Sequence, residues 1–283
     1  MSKDMMLRAV VVVVVALAGL PTGSAAQSWR TVTMSRQAMG TDEVQVQVNY
    51  GAGAFKVGAA EGGLLYRMSL RYDEEVFEPR AEFQGHRLRL GVEGEGRSVR
   101  LGKGRSGGEM DLELGRGVPM NLDLEFGAVR ADLDLGGLHL TGLDLSTGAS
   151  ESTVDVSEPN PGSMERASFE VGAADFTARH LGNLNARRIS VDAGVGEVSL
   201  WFNGSWQRDA EVALKMGLGS MELHFPEGLG VRLSKDSFLT SLDSEGLVKR
   251  GDAYYSPDWD RAERKVSIEL EAAFGSVRVV WVR

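Results

Sequence analysis

Residues 189–198 read ISVDAGVGEV, and residues 212–221 read VALKMGLGSM. In both segments two apolar residues stand five and three positions before a glycine, and a strand-like run follows. The phrase occurs seven times: Val46 and Val48 before Gly51, Leu122 and Leu124 before Gly127, Leu143 and Leu145 before Gly148, Ala167 and Phe169 before Gly172, Ile189 and Val191 before Gly194, Val212 and Leu214 before Gly217, and Leu270 and Ala272 before Gly275. From Gly127 to Gly217 the glycines are 21, 24, 22 and 23 residues apart. Such a period predicts a stack of similar units, each burying its apolar face against the next.

The residue between each apolar pair is mostly polar, so the segments alternate with a period of two, as half-buried strands do. The glycine permits backbone conformations that other residues adopt only at a cost, so we expect each coil to turn there. We therefore predict an all-β fold: a single-stranded β-solenoid of glycine-containing repeats of about 22 residues, with an N-terminal β unit. The usual chirality of β crossovers predicts right-handed coils.

The first 26 residues have the features of a signal peptide. Lys3 and Arg8 supply positive charge, residues 9–20 are continuously apolar, and residues 24–26 (SAA) suit cleavage after Ala26. The apolar run is too short to span a bilayer, which needs about 20 residues. We predict an exported protein, periplasmic or at the cell surface, without a stable membrane span.

The remaining chain divides into three predicted parts. Residues 27–43 are polar and aperiodic, which predicts a flexible lead-in. Residues 44–108 form the N-terminal β unit, and residues 109–283 form the solenoid. The glycine-rich stretch 91–108 is the predicted loop or boundary between them.

Composition excludes several function classes. The chain has no cysteine, so it forms no disulfide and carries no lipid-modified cysteine. Its formal net charge is −9, and removing residues 1–26 makes it −10, because that segment carries one more positive than negative charge. Without a basic cluster, such a chain is a poor nucleic-acid ligand.

No motif predicts catalysis, a cofactor or a metal. Residues 102–107 (GKGRSG) match the glycine spacing of a dinucleotide site, but strand-like sequence follows where that site needs a helix. The four histidines lie in different units, and neither a serine-hydrolase elbow nor a calcium loop is present. We therefore predict a protein that is not an enzyme and holds no cofactor or metal.

Residues 252–260 (DAYYSPDWD) are the candidate contact site, because Tyr254, Tyr255 and Trp259 stand there among acids. These aromatics could stack on sugar rings or dock a protein. Alternatively, they cap the open end of the stack, where an uncovered strand edge would pair with other chains.

Two segments resemble a known family. Residues 255–259 (YSPDW), then Ala262, Ile268 and 274–277 (FGSV), resemble the closing motif of bacterial toast-rack envelope proteins and of the related cell-wall-active antibiotic response proteins. Residues 50–53 (YGAG) with the strands that follow are similar to the toast-rack N-terminal unit. The resemblance implies a stacked β-repeat without known catalytic residues. Some members act in envelope-stress signalling, usually with transmembrane helices, which we do not predict here.

These observations favour a non-catalytic envelope or surface protein, adhesin-like, that presents a repetitive β face for interaction or assembly. A polysaccharide-binding or carbohydrate-active solenoid is one alternative, and a modulator of envelope-stress signalling is another. The expected partner is an envelope protein or a polysaccharide. Self-association through the ends of the solenoid is also open.

Overall fold

The computed structural model describes residues 28–40, 42–94 and 107–282. The predicted signal peptide and residues 102–106 of the glycine-rich motif lie outside these ranges. The predicted all-β class is confirmed, since the described residues form sixteen strands and a single four-residue 3-10 helix. No helix among them is long and apolar enough to cross a membrane.

The strands belong to one sheet that contains both parallel and antiparallel pairs. In chain order they are β1 (Trp29–Gln37), β2 (Val44–Ala60), β3 (Leu64–Asp73), β4 (Phe77–Gln84), β5 (Arg87–Gly94), β6 (Gly108–Gly115), β7 (Met120–Asp134), β8 (Leu140–Thr147), β9 (Glu151–Asp155), β10 (Met164–Arg179), β11 (Ala186–Trp201), β12 (Ala210–Pro226), β13 (Gly230–Asp243), β14 (Val248–Arg250), β15 (Ala253–Tyr255) and β16 (Lys265–Val282). The 3-10 helix, Leu181–Leu184, lies between β10 and β11.

The long strands bend near the repeat glycine, as β11 shows. Before the bend Val191 and Ala193 are buried, Gly194 and Val195 are both exposed, and Val198 is buried again. Side chains of a strand normally alternate between its two faces. Because two successive residues point outward here, the odd-numbered residues face the core before the bend and the even-numbered residues face it afterwards. Each long strand therefore has a first arm before the bend and a second arm after it, with the core enclosed between them.

Aromatic side chains join the two arms across this core. In β10, Phe169 of the first arm lies 5.8 Å from Phe176 of the second, measured between ring centroids. Both rings are almost fully buried, as are Phe55, Phe202 and Phe225. Burying such a side chain contributes about 1.5–3 kcal/mol, so the enclosed core is a main source of stability.

Neighbouring long strands pair in parallel. β11 and β12 stay in register from Arg188 beside Glu211 to Trp201 beside His224. This pairing places six repeat glycines side by side in one column. They are Gly51, Gly127, Gly148, Gly172, Gly194 and Gly217.

The prediction that Gly275 is the seventh member of this column is wrong. Gly275 pairs with Gly219, and Ala272 and Phe274 pair with Met216 and Leu218, so Ala273 takes the column position. A shift of two residues leaves every side chain on its original face, because the strand period is two. The apolar pattern therefore could not reveal the shift.

The expected conformational role of the column glycines is also corrected. Gly194 and Gly217 have no left-handed φ, but an added Cβ would lie 2.9 and 2.5 Å from a backbone oxygen of the preceding strand. Close packing of neighbouring backbones, rather than a special conformation, thus excludes a side chain here. The left-handed conformation occurs two residues later, where Gly196 and Gly219 have φ of +140° and +146°.

Buried asparagines anchor the segments that connect one strand to the next. Asn160 donates to the backbone oxygens of Leu140 and Leu184 at 2.9 and 3.1 Å, and its own oxygen accepts from the Leu140 amide. Asn183 donates to the Val156 oxygen at 2.7 Å. These bonds join the connections of neighbouring strands and satisfy backbone groups that would otherwise be buried without partners.

The predicted flexible lead-in is wrong for residues 29–37, which form β1. This strand pairs antiparallel with β3 over its whole length. A polar edge strand lacks a strong apolar alternation, which explains why its sequence resembled a loop. The division at residue 108 stays a prediction, although β2 pairs with β7 across it.

Charged side chains point inward at both ends of the stack. Arg30 and Arg36 of β1 lie on the same face as the buried Val32. The Arg36 guanidinium lies 4.5 Å from the Phe83 ring centroid. At the other end, Lys235 of β13 stands beside the core residue Leu270, and its ammonium donates to the Thr240 oxygen at 2.8 Å. Inward charges on edge strands oppose pairing with another chain. Self-association through the ends stays a prediction, which these residues oppose.

Candidate functional site

The aromatic loop lies at the C-terminal end of the stack. Tyr254 and Tyr255 belong to β15, which pairs with the first arm of β13, and Trp259 lies in the turn that follows. The structure brings Tyr255 and Trp259 together, with ring centroids 5.5 Å apart. It places Tyr254 on the other side of β15, packed against the core.

Each of the three aromatic rings has a cation over its face. Lys249 lies 5.7 Å from the Tyr254 centroid, and Lys265 lies 5.3 Å from the Trp259 centroid. Arg250 lies 5.5 Å from the Tyr255 centroid, and Arg232 donates to the Tyr255 hydroxyl at 3.3 Å. Faces engaged in this way are less open for stacking on a sugar ring.

The backbone of the loop is also anchored. The Ser256 hydroxyl accepts from the Val231 amide at 2.9 Å and donates to the Leu229 oxygen, and Ser256 is buried. This arrangement suits a cap over the end of the stack, while a binding role for these aromatics stays a prediction.

A groove runs along the column of repeat glycines and crosses the strands. It encloses about 900 Å³, and its floor is formed by Gly51, Gly127, Gly148, Gly172 and Gly194. The groove thus lies over residues that carry no side chains. We call this feature the glycine groove.

One wall of the glycine groove is polar and mostly acidic. It consists of the residues two positions before each glycine, which pair in register: Asn49, Glu125, Ser146, Glu170 and Asp192. The Ser146 hydroxyl donates to Glu170 at 3.4 Å. Within the described ranges, Glu125, Glu170 and Asp192 form no ion pair.

The acidic character extends to the neighbouring position on the same arm. Asp123 is half-buried, and burial raises the pKa of its carboxyl group, with Asp144 and Glu125 adding repulsion. Asp144 itself pairs with Arg166 at 2.9 Å. Asp123 therefore lies among carboxylates that disfavour its charged form.

An apolar column follows the glycines on the other side of the groove. The residues directly after the glycines are alanines in the N-terminal half, Ala52, Ala128, Ala149 and Ala173. The column then continues through Val195, Leu218, Phe274 and Leu239, which pair in register on β11, β12, β16 and β13. We call these four residues the corner ridge. Their exposures are 51%, 51%, 45% and 63%, which is unusual for large apolar side chains on adjacent strands.

Sequence reasoning missed both features, although signals were present. The position two before the glycine is polar in six copies, and the position directly after it is apolar in the same six. Burial alone explains the inward-facing positions, whereas the outward-facing positions gain a meaning only when strand pairing places them side by side.

A second hollow on the second arms differs in its charge. It encloses about 470 Å³, and its lining includes Glu222, Asp243 and Arg278. Arg278 bridges Glu222 at 3.3 Å and Asp243 at 4.0 Å. The acids of this hollow are therefore partly neutralised within the chain.

No group of three or more histidine or acidic side chains within the described ranges is arranged to hold a metal ion. The His180 ring contacts Asp155 at 2.6 Å, and His224 stacks on Trp201 with centroids 3.9 Å apart. Both histidines thus take part in contacts between neighbouring strands.

The chain belongs to the toast_rack family. The family model described as the N-terminal domain of toast_rack, DUF2154, matches residues 23–179 and, in a second match, residues 167–224. Residues 255–277, which contributed to the resemblance noted from the sequence, lie beyond these matches.

Several solved structures are similar to this chain. A candidate cell adhesion protein from Clostridium sporogenes shares 16% identity at a TM-score of 0.49, covering 90% of this chain and 100% of the other. Candidate adhesins from Bacteroides fragilis and Parabacteroides distasonis each share 10% identity, at TM-scores of 0.34 and 0.33, covering 88% of this chain and 97% of theirs. A comparison with curated protein sequences gave no match.

Proposed function

We propose that this protein is an exported, non-catalytic binding protein of the bacterial cell envelope or surface, adhesin-like in the sense that its β faces contact another macromolecule. In this proposal the parallel stack is a right-handed solenoid, and residues 1–26 are removed on export. Membership of the toast_rack family and the features of residues 1–26 support the envelope location.

The observation that carries the proposal is the register of the long strands. Parallel pairing without shifts turns equivalent positions into straight columns, so one surface chemistry is repeated from strand to strand. The resulting groove is long and shallow, and each strand contributes only a few of its lining residues. Such a surface suits an extended partner better than a small substrate, which is usually held in a deep pocket.

The polysaccharide alternative receives less support. Sugar-binding surfaces use open aromatic faces, whereas Tyr254, Tyr255 and Trp259 are half-buried and have cations over their rings. The corner ridge offers mainly aliphatic side chains. We therefore favour a protein partner.

Two measurements test the proposal. The full chain with a C-terminal tag is expressed in its source, fractionated, and its N-terminus determined. We expect a chain that begins at Gln27 in the envelope or secreted fraction, and an intact Met1 in the cytosol would overturn the export proposal. A deletion of residues 2–20 is the control and should keep the protein inside the cell.

The second measurement is cross-linking in intact cells followed by capture of the tagged chain. We expect a defined envelope partner that is absent from the cytosolic control. Specific turnover of a substrate that one carboxylate substitution abolishes would overturn the non-catalytic assignment.

A further inference from the structure

We propose that the corner ridge and the adjoining glycine groove bind an extended segment of another protein that carries apolar side chains between lysines or arginines. This inference rests on the proposed binding function and specifies its site and the chemistry of its partner. The apolar column and its charged surroundings carry the argument.

The first step concerns the apolar surface. Val195, Leu218 and Leu239 each expose half or more of their surface, and Phe274 exposes 45%. Parallel register places the four on successive strands, so the ridge extends about 14 Å at the usual strand spacing. Single exposed apolar residues are common on protein surfaces, but a contiguous patch of them marks a contact surface.

The second step concerns charge. Asp192 and Asp236 lie three positions before ridge residues, and Glu197 lies two positions after Val195. None of these three exposed carboxylates forms an ion pair within the part of the chain that the structure describes. Lys215, which pairs in register with Asp192, is bridged to Glu271 at 3.0 Å and is attracted more weakly by Asp192. The ridge thus has an acidic border, which Glu125 and Glu170 continue along the glycine groove.

Charge complementarity selects the occupant. A lysine- or arginine-containing segment would neutralise the border while its apolar side chains cover the ridge. A second copy of this chain in a symmetric ridge-to-ridge contact would bring its own acidic border against this one, so like charges would oppose that contact. An anionic membrane surface would be repelled for the same reason.

The dimensions agree with an extended segment. The groove and the ridge together cross eight strands, from β2 to β13, which corresponds to about 34 Å. A chain in extended conformation covers this length with about ten residues. The groove over the glycine floor, about 900 Å³ in volume, accommodates backbone or side-chain atoms of such a segment.

The test uses three labelled twelve-residue peptides as probes, with alternating leucine and lysine, leucine and glutamate, or serine and lysine. Binding to the purified full-length mature protein is measured by fluorescence anisotropy at about 0.05 and 0.5 M salt. We expect the leucine–lysine peptide to bind at least about ten-fold more tightly than the other two, and to weaken at high salt.

Two sets of variants locate the site. Leu218→Ser with Leu239→Ser removes the centre of the ridge, and Asp192→Asn, Glu197→Gln and Asp236→Asn together remove its acidic border. Each set should weaken binding of the leucine–lysine peptide by about ten-fold or more. The matched controls are Val248→Ser, an exposed apolar residue on β14, and Glu263→Gln, an exposed acid elsewhere, which should change binding less than about two-fold. Unchanged melting temperatures confirm that the variants fold.

Several outcomes would overturn the inference. Equal binding of all three peptides, no binding of any, or full binding by the ridge variant would each exclude this site. A ridge-dependent dimer in sedimentation velocity would assign the ridge to a second copy, and ridge-dependent binding to anionic vesicles would assign it to lipid. If the ridge variant still captures the envelope partner by cross-linking, this inference fails while the proposed function stands.

Discussion

The backbone oxygen of Gly196 occupies the position that a Cβ atom on Gly219 would need, and Gly219 has φ of +146°. Gly275 stands in the same relationship to Gly219 on the next strand. Backbone contact and left-handed conformation therefore act together at this second column, two residues beyond the repeat glycines.

We expect Gly219→Ala to lower the free energy of unfolding by about 2–4 kcal/mol, because the new methyl group overlaps backbone and the conformation is strained. Chemical denaturation measures the change. The matched control is Gly58→Ala in β2, where an added Cβ meets nothing within 4 Å and φ is ordinary. It should change stability by less than about 1 kcal/mol, and equal effects of the two substitutions would contradict the argument.

Lys235 is expected to keep the C-terminal end of the stack from pairing with other chains. Lys235 pairs with the buried Leu270 of β16, so a leucine at position 235 would extend the row of apolar core residues to the edge strand. We expect Lys235→Leu to raise the fraction of higher oligomers in sedimentation velocity relative to the unsubstituted protein. Lys56→Leu, exposed in the middle of the stack, is the control. Identical sedimentation of both variants would show that Lys235 has no such role.

The aromatic loop is expected to contribute to stability rather than to partner capture. The double variant Tyr254→Ala and Trp259→Ala should lose about 1–3 kcal/mol of stability, because both rings are half-buried at the end of the core. Its capture of the envelope partner should equal that of Val198→Ala, a core variant that is destabilised to a similar extent. Loss of the partner from the loop variant alone would make the loop a binding site.

The lowered pKa of His224 should make the stability of the protein depend on pH. Burial lowers the pKa of its imidazole, despite Glu222 at 3.4 Å, so the folded state binds the proton more weakly than the unfolded state. Its neutral form supports folding at pH 7, and this contribution declines as the pH falls below the unfolded-state pKa of about 6.5. His224→Gln should therefore reduce the loss of melting temperature between pH 7 and pH 5, whereas His86→Gln, on an exposed turn, should not. Parallel pH profiles for all three proteins would contradict this prediction.

Asp123 provides a prediction of the opposite kind. Burial and the nearby Asp144 and Glu125 raise its pKa in the folded state, so its charge opposes folding at neutral pH. We expect Asp123→Asn to raise the melting temperature at pH 7 and to lose this advantage as the pH falls and the native carboxyl group becomes protonated. The control is Asp132→Asn on an exposed position of β7. A lower melting temperature for Asp123→Asn would show that its carboxylate is needed for the fold.

Much of the fold followed from local pattern. The alternation around Val191 predicted a strand with one buried face, which β11 has. The pattern failed at β1, because Arg30 and Arg36 stand on the same face as the buried Val32 and interrupt the apolar alternation. It also failed at Gly275, since a shift of two residues preserves the alternation.

The candidate site was less accessible to sequence reasoning. The aromatic residues Tyr255 and Trp259 were found, but the cations over their rings, Arg250 and Lys265, flank the segment and reach the rings only through the turns of the folded chain. The corner ridge joins residues 195, 218, 274 and 239, whose order in the chain differs from their order in space because β16 lies between β12 and β13.

The sequence by itself determined the all-β class, the spacing of the repeat and the inward-facing residues, because alternation and glycine position are local properties of the chain. Only the tertiary structure decided which outward-facing residues become neighbours. That choice depends on strand register, which is set by the packing of whole strands and their connections against each other. It places Val195, Leu218, Phe274 and Leu239 in one exposed row beside an acidic border.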